Sequence, residues 1–233
     1  MRINKFLASC GIASRRKVEE YILDGRITVN GQVTTNLSTD ILENDVVLFD
    51  GKPVKNREEF EYYMLNKPVG YISSAQDDRN RKTVVSLIKT NARIYPVGRL
   101  DFNSEGLLLL TNDGELTNKL THPKHNIGKT YIVKINSSIT DREVNLVRNG
   151  VTIDGYKLHP CKIRVLDGSE NYTRFEITIF EGRNREIRKM FEVIKKQVVY
   201  LKRIKIENLK LGNLKTGEYR KLSKAEIEYL KNL

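Results

Sequence analysis

The sequence has little cysteine, no tryptophan and no long apolar run, and each absence narrows the range of functions. Its two cysteines, Cys10 and Cys161, lie far apart and suggest neither a disulfide framework nor a zinc knuckle. No stretch of about 20 apolar residues is present, so we expect no transmembrane helix. The apolar run behind Met1 is too short for a signal peptide, and we therefore expect a cytoplasmic protein.

The common cofactor-binding motifs are also missing. The chain contains neither the G-x-x-x-x-G-K-S/T loop of nucleotide triphosphate sites nor the G-x-G-x-x-G turn of dinucleotide sites. The histidines of the segment 122–125 have a ligand-like spacing, but Pro123 between them interrupts any helix. Ordinary loop histidines are the commoner explanation, so we predict that the protein uses no cofactor and no metal.

The charge of the chain points to a polyanionic partner. Hydrophobic residues make up 39% of the 233 residues, enough for a core, and the formal net charge is +12. Residues 181–221 alone hold thirteen lysines and arginines against five acids, a net charge of +8. Such an excess favours binding to nucleic acid or to an anionic membrane surface.

Residues 1–52 have the pattern of a small separate module. Ser14 is placed to cap a helix whose apolar residues recur at helical spacing. A short strand at 27–29 runs into Asn30-Gly31, a strong signal for a two-residue hairpin turn. A second strand is predicted at 46–49. The pattern predicts two helices followed by a small antiparallel sheet.

The charges of this module are polarised. Residues 1–52 hold seven basic and seven acidic side chains, so the net charge is zero. Six of the basic side chains lie in the helical half: Arg2, Lys5, Arg15, Arg16, Lys17 and Arg26. A phosphate-binding face made by the two helices would have this distribution, because phosphate contacts dominate nucleic-acid affinity. A solvated helix face would have it too, and the residues alone leave both interpretations open.

A larger domain is predicted at 61–233, after a linker at 53–60 that contains Pro53 and a charged run. Strand patterns occur at 62–65, 129–135, 161–166 and 172–180, and helical patterns at 83–89, 115–120 and 141–149. The strands and helices do not alternate regularly. This order predicts an α+β fold with a largely antiparallel sheet.

A further helix is predicted at 185–196. Its apolar residues recur at i, i+3, i+4 and i+7, namely Ile187, Met190, Phe191 and Ile194. Arg188 lies beside this stripe, so its side chain can reach the interior or the edge of a cleft. We expect Lys195 and Lys196 to be solvated.

One acid stands out by its surroundings. Asp101 ends the turn Gly98-Arg99-Leu100-Asp101, between a short extended piece at 95–97 and the apolar run at 107–110. An acid placed there is held on a rigid element facing a cleft, although most such aspartates only cap turns. Glu105 could complete a glycosidase-like carboxylate pair. The basic charge and the absence of tryptophan for a sugar groove count against that reaction.

Several ordered motifs resemble the RsuA/RluB-type ribosomal RNA pseudouridine synthases. The segment 97–101, Val-Gly-Arg-Leu-Asp, together with 106–116 behind it, is similar to the family's signature. The segments 66–70, 129–131 and 181–191 resemble three further motifs in the family's order. Residues 14–16 and 25–31 resemble the S-four RNA-binding module. The resemblance covers essentially the whole chain.

The resemblance implies a fold and an activity. It implies a small α/β RNA-binding module followed by a catalytic domain with a mixed, mainly antiparallel sheet. Asp101 then stands for the catalytic nucleophile at C1′ of a uridine, Tyr131 for the tyrosine that packs on the uracil, and Arg188 for the cation paired with the aspartate. The RNA contacts implied with them are Arg99, Lys67, Arg183 and Arg185.

The resemblance leaves alternatives for the substrate. The Arg-Asn-Arg-Glu-Ile-Arg run at 183–188 is more similar to the large-subunit (23S) branch than to the small-subunit (16S) branch. The partner is then expected to be ribosomal RNA or a ribosomal assembly intermediate, with no membrane, and the protein a monomer. A non-catalytic ribosome-assembly protein is a different reading, which the combination of Asp101, Tyr131 and Arg188 disfavours.

Overall fold

The computed structural model of the protein describes residues 1–54 and 59–233, which form two compact units. The smaller unit comprises Met1–Glu61, Thr90–Arg93 and Asn112–Gly114, and the larger comprises Tyr62–Lys89, Ile94–Thr111 and Glu115–Leu233. Half of the linker predicted at 53–60 lies outside the described residues. In the part of the chain that is described, no helix is long and apolar enough to cross a membrane.

The smaller unit contains two helices and a four-stranded sheet. Its elements are α1 (Ile3–Ser9), α2 (Arg15–Leu23), β1 (Ile27–Val29), β2 (Gln32–Val33), β3 (Val47–Phe49) and β4 (Lys52–Pro53), with strand order β2-β1-β3-β4. The predicted cap is confirmed, since the Ser14 hydroxyl accepts a hydrogen bond from the Lys17 N–H at 3.2 Å. Asn30 and Gly31 both have positive φ, as the predicted hairpin turn requires.

The larger unit is built on one sheet. In chain order its strands and helices are β5 (Tyr62–Lys67), β6 (Tyr95–Val97), β7 (Glu105–Thr111), α3 (Gly114–Thr121), β8 (Lys129–Ile135), α4 (Asp141–Arg148), β9 (Thr152–Ile153), β10 (Tyr156–Lys157), β11 (Lys162–Ser169), β12 (Tyr172–Ile179), α5 (Glu186–Val193), β13 (Val198–Ile206), β14 (Leu209–Lys210), β15 (Tyr219–Lys221) and α6 (Lys224–Lys231). Two short 3-10 helices lie at Val84–Leu87 and Pro123–His125.

The main sheet has nine strands and is mostly antiparallel. Its central order is β11-β12-β8-β13-β7-β5-β15, with β14 added beside β13 and β6 beside β7. Only β7 and β13 among the described pairs run parallel, through Glu105 to Lys202 and Gly106 to Arg203. The predicted α+β class with a mixed, mainly antiparallel sheet is confirmed.

One face of this sheet is covered by α5. Phe175 of β12 packs against Phe191 of the helix, with ring centroids 5.4 Å apart, and both side chains are fully buried. Along β8 and β12 the side chains alternate between buried and partly exposed, because successive residues of a strand point to opposite faces. The sheet therefore has one face in the core and one face turned outward.

Two sequence-based predictions of secondary structure are wrong in extent. The helix predicted at 83–89 is only the 3-10 helix at Val84–Leu87. The helix predicted at 185–196 is α5, three residues shorter at its end, because Lys195 adopts a left-handed conformation that stops it. Lys196 is not simply solvated, since its ammonium lies 3.5 Å from Glu143 and donates to the Ser138 carbonyl.

The parallel junction between β7 and β13 depends on a glycine. Gly106 has a φ of +110°, which side chains rarely adopt. A Cβ added there would lie 2.7 Å from the Arg203 nitrogen and closer still to its carbonyl oxygen. Only glycine lets the two backbones approach, so this residue joins β7, which follows Asp101, to the strand that carries Arg203.

We expect Gly106→Ala to destabilise the protein by more than about 3 kcal/mol, because it combines a disfavoured φ with a backbone clash. Gly155→Ala is the matched control, since Gly155 also has positive φ but no atom lies within 4 Å of an added Cβ. Its expected cost is about 1 kcal/mol. Urea unfolding of both variants measures the difference, and equal losses would show that the junction does not need glycine.

Candidate active site

The turn that carries Asp101 is fixed through its backbone. Each of the five consecutive carbonyl oxygens of residues 100–104 accepts a hydrogen bond. The donors, in chain order of the acceptors, are the Ser73 hydroxyl, the Lys67 ammonium, the Gly70 N–H, the Arg188 guanidinium and again the Lys67 ammonium. Any shift of the turn would break several of these bonds at once. The Asp101 side chain therefore extends from a backbone with little freedom.

Lys67 is the centre of this arrangement, and its prediction as a phosphate contact is wrong. The side chain is fully buried, and its ammonium donates to the carbonyls of Pro68, Asp101 and Ser104 at 3.1, 3.0 and 2.8 Å. Burial lowers the pKa of the Lys67 ammonium to about 8, and the charges of Asp101 and Glu105 oppose that shift. An ammonium with three carbonyl partners inside the protein holds the turn and does not reach RNA.

Arg188 faces the Asp101 carboxylate. Its Nε lies 3.7 Å from Oδ2 of Asp101, and the arginine side chain is 11% exposed. The other guanidinium nitrogens donate to the Val198 carbonyl at 3.0 Å and to the Asn103 carbonyl at 2.9 Å. Nε itself is buried without a hydrogen-bond partner. The guanidinium is thus oriented by the backbone, and its remaining donor is directed at Asp101.

The Asp101 carboxylate is paired but not saturated. Its distance to Arg188 is longer than an ordinary hydrogen bond, and no other described residue donates a hydrogen bond to it. The Asp101 side chain is 29% exposed. Burial lowers the pKa of Arg188 from its ordinary value, while the negative charge of Asp101 opposes that shift. The pair places an accessible carboxylate oxygen, held beside a cation, at the edge of a cavity.

The cavity beside Asp101 has the size of one aromatic ring. Its volume is about 120 Å³, and a cavity of about 150 Å³ accommodates benzene. Asp101, Tyr131 and Arg203 all line it. Tyr131 is 6% exposed and belongs to β8, where its side chain points to the buried face of the sheet. The structure therefore brings Asp101 and Tyr131 to one cavity, with Arg188 at the carboxylate.

Arg203 is a cavity residue that sequence reasoning missed. It is 3% exposed, its Nε donates to the Leu107 carbonyl at 2.7 Å, and one of its terminal nitrogens lies 3.5 Å from the Tyr131 hydroxyl. The other terminal nitrogen is buried without a partner. The sequence did contain one indication of this position. Arg203 lies two residues after the buried Leu201, and residues two apart on a strand point to the same face. A lone arginine in a core phase indicates a polar pocket.

Lys129 and Glu186 also line the cavity. Burial lowers the pKa of Lys129 to about 8, with the Arg203 charge acting in the same direction, and Lys129 donates to the Ile127 carbonyl. Burial also raises the pKa of Glu186, although its carboxylate accepts hydrogen bonds from the backbone of Gly182 and Arg183. Neither residue was assigned a role from the sequence.

Three of the predicted RNA contacts lie at the mouth of the cavity. Arg99, Arg183 and Arg185 are exposed and line it. Arg183 stacks on Tyr156, with its guanidinium carbon 3.3 Å from the ring centroid, and pairs with Glu181. In the described residues Arg99 has no ion-pair partner, so its charge is available to a ligand.

The basic residues predicted as a phosphate-binding face in the smaller unit differ in whether they form ion pairs with acidic residues. Arg2 pairs with Asp40, Lys17 with Glu20, and Arg26 with Asp50. Lys5 is exposed. Arg15 and Arg16, in the first turn of α2, are exposed and take part in none of the ion pairs between described residues. These two arginines are thus exposed cations outside the ion pairs that the structure describes.

The buried lysine at the Asp101 turn predicts a pH dependence of stability. Its folded pKa of about 8 lies below the unfolded value of about 10.4. Between these values the unfolded chain binds more protons, so the free energy of unfolding rises with pH there. We expect Lys67→Met to lower stability and to flatten this rise, measured by urea unfolding between about pH 7.5 and 10. Lys89→Met, at an exposed lysine, is the control. Parallel curves for wild type and Lys67→Met would contradict the assignment.

The chain matches two known protein families. Residues 61–193 match the RNA pseudouridylate synthase family, and residues 1–47 match the S4 domain. The matched segment of the synthase family contains the Asp101 turn, Tyr131 and Arg188.

Individual relatives match over the full length. The chain is 43% identical to the ribosomal large subunit pseudouridine synthase B of Bacillus subtilis, over 100% of this chain and 96% of that protein. It is 35% identical to a dual-specificity RNA pseudouridine synthase of Salmonella typhi, over 97% of this chain and 77% of that protein. A crystal structure of a pseudouridylate synthase superimposes with a TM-score of 0.73 at 31% identity, over 99% of both chains. The chain therefore belongs to the RsuA/RluB-type RNA pseudouridine synthases, isomerases that convert uridine to pseudouridine, and it carries an S4 domain in its N-terminal part.

Proposed function

We propose that the protein converts a specific uridine of 23S ribosomal RNA to pseudouridine, with Asp101 as the catalytic nucleophile. The observation that supports this proposal most directly is the position of the Asp101 carboxylate. It lines a ring-sized cavity together with Tyr131 and lies 3.7 Å from the Arg188 guanidinium. The choice of the large-subunit RNA is supported by the 43% identity to the Bacillus subtilis large-subunit enzyme. A 16S target is the alternative within the same activity.

The reaction needs a uridine that has left its stack. A base inside a helix cannot enter a cavity lined by buried side chains, so the nucleotide is extruded at a cost of a few kcal/mol. Arg99 and Arg185 lie at the mouth of the cavity, where the phosphates on either side of an extruded nucleotide would pass. Contacts between these cations and the backbone offset the cost of extrusion. The cavity then selects one ring by its size.

Asp101 acts at C1′ in this proposal. A carboxylate oxygen bonds to C1′ as the N1–C1′ bond breaks, and uracil leaves with the electron pair. After the base rotates, C5 bonds to C1′ and the carboxylate is released, while the proton on C5 is lost and N1 gains one. Atoms and electrons balance without any co-reactant. The Arg188 cation lies 3.7 Å from this carboxylate and stabilises its negative charge electrostatically.

Tyr131 is proposed to hold the base and to accept the C5 proton late in the reaction. Its ring lies on the buried face of β8 and forms part of the cavity wall. Its hydroxyl lies 3.5 Å from a terminal nitrogen of Arg203. The hydroxyl oxygen would accept the proton from C5 as it releases its own proton to solvent.

The S4 domain is proposed to bind ribosomal RNA, or an assembly intermediate of the ribosome, through α2. Arg15 and Arg16 are the residues we assign to phosphate contacts, because they are exposed and free of the ion pairs seen at the neighbouring cations. Arg2, Lys5, Lys17 and Arg26 contribute to the potential of the same unit. We further propose that the protein acts as a monomer.

The first prediction from this proposal concerns the product. Cells that carry only Asp101→Ala, and cells that lack the protein, should both lose one pseudouridine from 23S rRNA, while wild-type cells retain it. Mapping pseudouridines in total ribosomal RNA measures this. Loss of a 16S site would move the substrate to the small subunit, and loss of no site would contradict the enzymatic role.

In vitro, Asp101→Asn should slow the single-turnover formation of pseudouridine by at least about a thousand-fold, the order seen for removed nucleophiles, with RNA affinity unchanged.

The second prediction concerns Tyr131. Tyr131→Phe keeps the ring and removes the hydroxyl, so we expect a rate about 10²–10⁴-fold lower, as for the loss of a positioned base. Removal of the C5 proton should then limit the rate, and RNA with uridine deuterated at C5 should show an isotope effect in this variant that wild type lacks. Tyr172→Phe, on the opposite face of the sheet, should change neither quantity. A slow variant without an isotope effect would restrict Tyr131 to packing.

A further inference from the structure

The outward face of the main sheet carries a row of cations that the reaction does not use. The row consists of Lys162, Thr178, Thr130, Lys205 and Lys210, each paired in register with the next across β11, β12, β8, β13 and β14. All five line one groove. We call this set the basic row. It holds three lysines and no acid.

The basic row lies on the face of the sheet opposite the active-site cavity. Thr130 and Tyr131 are neighbours on β8, and successive residues of a strand point to opposite faces. Tyr131 lines the cavity, whereas Thr130 lines the groove. A ligand in the groove therefore occupies a site separate from the one that holds the uridine.

The lysines of the basic row are not neutralised within the protein. Ion pairs exist in the adjacent row of the same face, where Arg164 pairs with Glu176 at 3.5 Å and Lys202 with Glu105 at 3.4 Å. None of the ion pairs between described residues includes Lys162, Lys205 or Lys210. The Glu207 carboxylate, also at the groove, accepts a hydrogen bond from the Gly128 N–H. The positive charge of the row is thus available to a partner.

The groove is large enough for a polymer backbone. Its volume is about 880 Å³, and the row crosses four inter-strand steps, or roughly 19 Å at the usual spacing of strands. Successive phosphates of one nucleic-acid strand are about 3.4 Å apart along a helix axis, so several of them fit that span. The lysines at both ends of the row match a run of phosphates, whereas the hydroxyls of Thr130 and Thr178 between them hydrogen-bond to each other at 2.9 Å.

We propose that the basic row binds the phosphate backbone of a ribosomal RNA segment other than the segment that carries the target uridine. The sheet separates the two sites, so one RNA reaches both only if it folds around the edge of the larger unit. A long structured RNA can do this, and a short hairpin that fills the cavity mouth cannot. The basic row would therefore add affinity for the large substrate without taking part in the isomerisation.

The test replaces the three lysines together, Lys162→Gln, Lys205→Gln and Lys210→Gln. Lys89→Gln, Lys215→Gln and Lys224→Gln form the matched control, because these exposed lysines lie outside the groove and their loss changes the net charge equally. Affinity is measured over a series of salt concentrations for a complete 23S rRNA transcript and for a short hairpin RNA. Each lost phosphate contact lowers the salt slope by about 0.7–0.9. We expect the row variant to lose a slope of about 2 on the transcript, and the control variant to lose none.

The outcomes separate the proposal from simpler explanations. An equal loss in both variants would assign the effect to net charge, and an equal loss on the hairpin would place the lysines on the path to the cavity; either overturns the proposal. Unchanged RNA binding with lost binding to vesicles of anionic phospholipid would make the groove a membrane site and also overturn it. Thermal unfolding checks that the variants are folded. Because the readout is binding, it holds even if the modified site proves to lie elsewhere than in 23S rRNA.

Discussion

The candidate active site depends on one buried ammonium group. Lys67 lies at the end of β5. Its ammonium donates hydrogen bonds to the carbonyls of Asp101 and Ser104, and these two bonds attach the turn to the strand. A charged group inside a protein is stable only when it is fully bonded, so this lysine cannot be satisfied unless the turn has its observed shape. The position of the Asp101 carboxylate is therefore tied to the burial of Lys67, and a looser turn would leave an unpaired charge in the core.

Arg188 is also held by backbone carbonyls, and it faces the Asp101 side chain. Two of its nitrogens donate hydrogen bonds to the carbonyls of Val198 and Asn103, and the third, Nε, lies beside the Asp101 carboxylate. A guanidinium has a rigid planar set of donors, so fixing two of them fixes the direction of the third. An ion pair with a direct short hydrogen bond would occupy a carboxylate oxygen that the proposed attack on C1′ requires. The observed 3.7 Å separation keeps the cation beside Asp101 and leaves the carboxylate oxygens accessible.

Local sequence patterns predicted the positions of several strands. They did not predict side-chain positions that depend on contacts between residues far apart in the chain. The strands at Tyr95–Val97 and Lys129–Ile135 occur with the predicted bounds, because alternation and neighbouring turns determine them. Lys67 was assigned to RNA from the family resemblance, and its burial follows only from the carbonyls that residues 101 and 104 bring to it. Arg203 was missed for a similar reason, since its place at the cavity depends on the parallel contact with Gly106, nearly a hundred residues earlier.

The register of β8 connects these features. This strand pairs antiparallel with both β12 and β13, and each pairing places Tyr131 opposite a side chain of the buried face, Ile177 on one side and Arg203 on the other. A slip by one residue would exchange the faces, turning Tyr131 outward and Thr130 into the cavity. Two flanking strands make such a slip costly, because every side chain of β8 would have to leave its environment. The same constraint that presents Tyr131 to the cavity thus also fixes Thr130 between the lysines of the basic row, so one strand contributes to both the cavity and the groove.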